Sequence, residues 1–215
     1  MTNEKISLNK VLKNTPKSYV SIFLVGIAVG CVCRLADFFP ADTLWSFSSI
    51  QTMLGFWIIT NTMIVWFSSS NICAGVSSFL YMFGMTLSFY GLQAVLGLFI
   101  PIFSGGFRRS LFVMFTILSI PCAIAAFILY FWNKDNVFSS ILYSLPVGAL
   151  LAETVATIIY LMQHHKFLFQ IIMNVAGLII FNRLFLGKVK SKKVYVVFSC
   201  VSALVFYFLL YHHSL

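Results

Sequence analysis

Seven stretches of roughly twenty residues, almost free of charge inside, follow one another along this chain. That is the length an α-helix needs to cross the hydrocarbon core of a bilayer. Within that core every backbone amide and carbonyl must be bonded inside the protein, so such runs are read as helices. The expected fold is all-α, a polytopic transmembrane bundle with spans near 19–39, 45–67, 74–100, 107–131, 138–162, 167–185 and 194–211. A six-span alternative drops the short run 167–185. Residues 1–18 form a basic N-terminal segment, 19–211 a single membrane domain and 212–215 a short tail.

Only 9% of the residues are charged and 60% are hydrophobic, against about a quarter charged in soluble domains. The formal charge of +9 is therefore not a nucleic-acid signal. Its Lys and Arg residues sit mostly at the ends of apolar runs, where they set orientation and touch anionic lipid headgroups. Lys5, Lys10, Lys13 and Lys17 precede the first run, and no short apolar region with a small-residue cleavage site follows them. That run is expected to be a retained span. An arrangement with the N-terminus in the cytoplasm puts ten basic residues inside and four outside, namely Arg34, Arg108, Arg109 and Lys166. The expected location is the cell membrane, with multiple passes.

Cofactor and metal signals are lacking. Five cysteines, at 31, 33, 73, 122 and 200, form no C-x-x-C pair and have no histidine at zinc-ligand spacing, so buried free thiols are expected. The histidines occur only as the pairs His164–His165 and His212–His213, at span ends. No metalloprotease, P-loop, dinucleotide or nucleophile-elbow motif is present. Ser104 beside two glycines reads as a turn rather than a nucleophile, since no histidine lies at a span centre to activate it.

Against this background Glu153 stands out: it lies inside the apolar run 144–162. A lone carboxylate at that depth costs roughly 3 kcal/mol on insertion scales unless it faces protein, water or a partner. At 1.5 Å of rise per residue, Glu153 falls about 5 Å from the midplane of its span, Arg34 and Gln51 about 8 Å and Gln93 about 9 Å. All are displaced toward the outer side. Asn174 (about 3 Å) and Gln170 (about 9 Å) fall on the same side, Asn61 on the other. The depths suggest an outward-facing polar cavity lined by Glu153, Arg34, Gln51, Gln93 and Asn174, with Arg34 and Glu153 neutralising one another. The competing reading pairs Arg34 with Asp37 one turn on and leaves the amides as fasteners between helices.

Gly26 and Gly30 on the first span, and Gly84, Gly91, Gly97, Ser77, Ser78 and Ser88 on the third, thin the faces through which helices approach closely. Trp45, Trp132 and Tyr19 are placed at membrane interfaces as belt residues.

The stretches RLAD (34–37), LWSFSS (44–49), FSSSN (67–71) and SLPVGALLAE (144–153) resemble uncharacterised multispan bacterial membrane proteins. In size, and in its outward polar half, the bundle also resembles the substrate-binding subunits of energy-coupling-factor vitamin transporters, which typically have six spans. Three functions are carried forward. The first is a non-enzymatic membrane protein that binds or helps to transport a small polar solute. The second is an accessory or regulatory subunit docking a membrane protein partner, and the third an intramembrane enzyme using Glu153 as acid or base.

Overall fold

A computed structural model describes residues 11–103 and 106–212. Lys5, Lys10, the turn residue Ser104 and most of the tail lie outside the described residues. The chain forms seven α-helices: α1 (Pro16–Leu35), α2 (Leu54–Phe67), α3 (Asn71–Leu96), α4 (Arg109–Leu129), α5 (Val137–His164), α6 (Leu168–Leu186) and α7 (Lys192–Leu210). Six are long and apolar enough to cross a membrane, and α2, at 14 residues, is the exception. The shortfall therefore falls on the second run, and the sixth is a full 19-residue helix. A 3-10 stretch, Phe47–Thr52, occupies the start of the second run, and Met53 in extended conformation separates it from α2. This is a multi-pass membrane architecture.

Polar residues at helix starts explain several boundaries. Ser70 caps α3 by accepting from Cys73 N at 3.0 Å. Asn136 caps α5 through Ser139 N at 2.9 Å, and Ser191 caps α7 through Val194 N at 3.4 Å. Each supplies an acceptor to an amide that has no partner within its helix. At the other end of α5, His165 turns the chain in the left-handed region, φ 54°.

The chain divides into two compact units. Unit 1 comprises Met1–Cys31 and Asn61–Tyr130, and unit 2 comprises Val32–Thr60 and Phe131–Leu215. In unit 1, α1 lies directly on the backbone of α3. A Cβ on Gly26 or Gly30 would overlap the carbonyls of Tyr81 or Met85, and one on Gly84 would stand 2.6 Å from Phe23 O. These are three of the small residues picked out from the sequence, whereas Gly91 has nothing within 4 Å. Leu12 N donates to Phe67 O at 3.1 Å, and Ser69 N to Leu12 O at 2.9 Å, tying the chain ahead of α1 to the end of α2. Asn61, which the depth reading set apart, accepts from Ser78 on α3. Ser119 and Ala126 are the buried residues of α4, whose Ile117, Ile120 and Ile124 are exposed, as suits a helix facing lipid.

In unit 2, α5 packs against α7 with Gly148 under Ser202, so closely that a Cβ there would overlap the serine hydroxyl. Trp132 is a correction: it is 2% exposed and stacks on Tyr143 at 4.9 Å, with Phe185 against both rings. Its indole is core, whereas Trp45 is exposed and stacked on Phe47. Tyr195 OH donates to Asn182 Oδ1 at 2.7 Å, joining α7 to α6.

Candidate functional site

The site is built at the opposite end of unit 2 from this aromatic cluster, where the chain before α2 meets the α5–α6 turn. Leu168 N donates to Leu44 O at 2.9 Å, and Lys166 pairs with Asp42. Ser46 holds the segment in shape from the left-handed region, φ 47°. Its hydroxyl donates to Ala41 O at 2.8 Å or Thr43 O at 2.7 Å and accepts from Phe167 N at 3.4 Å.

Below this turn, α6 presents Gln170 and Asn174 one helical turn apart, and so on one face. Gln170 Nε2 donates to Asn174 Oδ1 at 3.0 Å and to Glu153 Oε1 on α5 at 3.2 Å. One amide therefore gathers a carboxylate and a second amide. All three residues are at most 3% exposed. α2 closes the arrangement from another side with Gly55, in its first turn. A Cβ on Gly55 would overlap Asn174 Oδ1 and stand 2.7 Å from Gln170 Nε2. The Gly55 amide, the Tyr211 hydroxyl at the end of α7 and the Asn174 side chain also act on the Glu153 carboxyl, more loosely than Gln170 does. An early helical amide facing a carboxylate is favourable, because that amide has no partner within the helix and the helix start carries partial positive charge.

The network is incomplete on the far side of each group. Glu153 Oε2, Gln170 Oε1 and Asn174 Nδ2 are buried and have no partner within hydrogen-bond distance among the described residues. Each is bonded to the same carbon as an atom already in the network, so the three face outward from one small cluster. A buried polar atom without a partner costs about 1–3 kcal/mol, more where it is charged.

The five residues expected to line a cavity are distributed as follows. Glu153 and Asn174 stand together through Gln170. Arg34 Nη1 pairs with Asp37 Oδ2 at 2.9 Å, the one-turn pairing, and the groups acting on Glu153 are all uncharged. The expected neutralisation of Glu153 by Arg34 is not among its interactions. Gln51 is buried four residues ahead of Gly55, its backbone carbonyl accepting from Trp57 Nε1 at 2.8 Å and its Oε1 without a partner. Gln93 is buried on α3 in unit 1 and is not one of the groups acting on Glu153.

Gln170, Gly55 and Tyr211 were not foreseen as site residues. The spacing of Gln170 and Asn174 by four was a readable signal for the first. Gly55 and Tyr211 are brought in only by packing between distant parts of the chain.

Amides, a phenol and a backbone amide around a carboxylate can bind and orient a ligand, but they supply no nucleophile with a base beside it. Among the described residues no group of three or more His, Cys, Asp or Glu side chains is placed to hold a metal ion. A groove of about 380 Å³ between α3 and α4, lined by Ile72, Gly75, Val76, Phe79, Ile120 and neighbours, is wholly apolar. No family model, curated protein or solved structure matches this chain. Its chemistry must be read from its own residues.

Proposed function

We propose that this chain is a cell-membrane protein that binds a small polar solute, and assists its passage, at the Glu153–Gln170–Asn174 cluster of unit 2. With the N-terminus in the cytoplasm, that cluster lies toward the outer side. The observation that carries this reading is that the three residues joined through Gln170 each keep one buried polar atom without a hydrogen-bond partner among the described residues. A network serving only to fasten helices closes on itself, since each unmet polar group weakens the fastening. The accessory-subunit reading has less support, because Gly26, Gly30, Gly84 and Gly148 are covered inside the chain by Tyr81, Met85, Phe23 and Ser202, which leaves Gly91 open.

Thermal unfolding of the protein in nanodiscs, against a panel of small polar solutes, tests the proposal. At least one solute raises the midpoint saturably in the wild type and not in Glu153→Gln. If no solute does so and Glu153→Gln is as stable as the wild type or more stable, the cluster only joins helices.

A further inference from the structure

The unmet atoms define the complement of what they bind. Glu153 Oε2 and Gln170 Oε1 are acceptors, the first when the carboxyl is ionised, and Asn174 Nδ2 is a donor. Among the described residues, none of the groups acting on Glu153 is cationic. A carboxylate in a low-dielectric interior is stabilised most by an opposite charge that also hydrogen-bonds. An anion is repelled by Glu153, and a neutral polyol leaves its charge uncompensated. A bare alkali ion satisfies the two oxygens but faces the Asn174 amide hydrogens, which repel it. An ammonium group with an oxygen acceptor one or two carbons away carries a chemical complement to each: donors for Glu153 Oε2 and Gln170 Oε1 and an acceptor for Asn174 Nδ2.

We infer that the ligand class of this site is a small organic ammonium bearing a neighbouring hydroxyl or carbonyl oxygen, an amino alcohol being the simplest member. This rests on the solute-binding reading above and specifies its substrate. Gly55 has no side chain where a Cβ would overlap Asn174 Oδ1, so α2 lies directly against the two amides. Gln170 acts as the hinge of the recognition, holding the carboxylate and the Asn174 amide in fixed relation through its two donated bonds. Asn174 is the part that distinguishes an amino alcohol from a plain amine, because only the former offers its Nδ2 an acceptor.

The test uses the full-length protein in nanodiscs at pH 7 and follows the thermal midpoint with ethanolamine, ethylamine, ethylene glycol, glycolate and sodium chloride as probes. Ethanolamine should raise the midpoint saturably at concentrations at least tenfold below those at which ethylamine acts. Ethylene glycol, glycolate and sodium should give no saturable shift. Asn174→Leu should bring ethanolamine and ethylamine to within threefold of one another, and Glu153→Gln should abolish both responses. The comparison among probes is made on the wild type, so it stands even where a variant fails to fold. A saturable, Glu153-dependent shift with glycolate, ethylene glycol or sodium alone overturns the ammonium assignment and leaves the solute site standing. Equal potency of ethylamine and ethanolamine overturns the role of Asn174 and the oxygen requirement. A flat response to every probe overturns the ammonium class. If the broader solute panel is flat as well, with Glu153→Gln no less stable, the site itself is overturned and water suffices for the three atoms.

Discussion

Gly55 shows how a single missing methyl group governs the cluster. Its Cα hydrogen faces Asn174 and Gln170, so Gly55→Ala pushes both amides away from Glu153 or moves α2 outward. Overpacking of this kind costs about 1–3 kcal/mol, and the midpoint of unfolding in detergent should fall accordingly. Gly91→Ala is the matched control: nothing lies within 4 Å of its Cβ, and it should be neutral or slightly stabilising. At Arg34 the expected result is a coupling. Arg34→Gln and Asp37→Asn should each destabilise by about 1–2 kcal/mol, because each removes the ion pair between two largely buried charges. The double variant should cost less than the sum, which a double-mutant cycle reads directly. The sequence made Glu153 visible because charge inside an apolar run is expensive wherever the helix lies. It did not reveal the partner. Depth along a span follows from rise per residue alone, whereas the choice between Arg34 and Gln170 depends on rotation about the helix axis and on which helices adjoin. Asp37, three residues from Arg34, met that need locally.

At the level of elements, close backbone approach joins α1 to α3 and α5 to α7. The first pair was legible from G-x-x-x-G spacing. For the second, Ser144, Gly148 and Ala152 carry a small-residue spacing of four, but their complement, Ser202, is on a helix more than fifty positions away and is identified only by packing. Gly148→Val should lower the unfolding midpoint more than Gly75→Val, because Gly148 meets Ser202 Oγ and Cβ and Ala203 N within 3 Å, while the nearest neighbours of Gly75 stand at 3.2 Å and beyond. The turn between α5 and α6 adds a pH dependence. The hydrogen bond and charge of Lys166 hold Asp42 below its ordinary 3.8, and the hydrogen bond to Asp42 holds Lys166 above its ordinary 10.5. For Asp42, a lowered native pKa means that the contribution is complete above 3.8 and is lost as pH falls through the lowered value. For Lys166, a raised native pKa means that it is complete below 10.5 and is lost as pH rises through the raised value. The difference in thermal midpoint between wild type and Lys166→Gln should thus be steady from pH 5 to 9 and close in acid. Because both groups lie at the surface, it should be small and shrink with added salt.

For the molecule as a whole, the decisive geometric fact is that the end of α2 returns to Leu12. The chain leaves through α1, about 30 Å long, and comes back through α2, about 21 Å long. The 3-10 stretch Phe47–Thr52 precedes the shorter arm. If α2 together with that stretch also crosses, residues 14 and 212 lie on opposite sides of the membrane. Asn14→Cys and His212→Cys, each in a cysteine-free background, should then label from opposite faces with a membrane-impermeant reagent. Labelling from the same face would mean that α2 does not cross. Hydropathy alone yields the number of apolar runs but not this distinction, since a 3-10 stretch and an α-helix of the same residues have the same composition.

The Leu12 contact also bears on the order in which the protein is made. Leu12 is synthesised early, and its partners Phe67 and Ser69 follow only after two apolar helices have been delivered to the membrane. The pairing is then among the first links between distant parts of the chain that a nascent polypeptide can close. It completes a helical hairpin before the residues of α5 and α6 that hold Glu153, Gln170 and Asn174 exist. Gly55 and the rest of α2 are therefore synthesised before the carboxyl that they face.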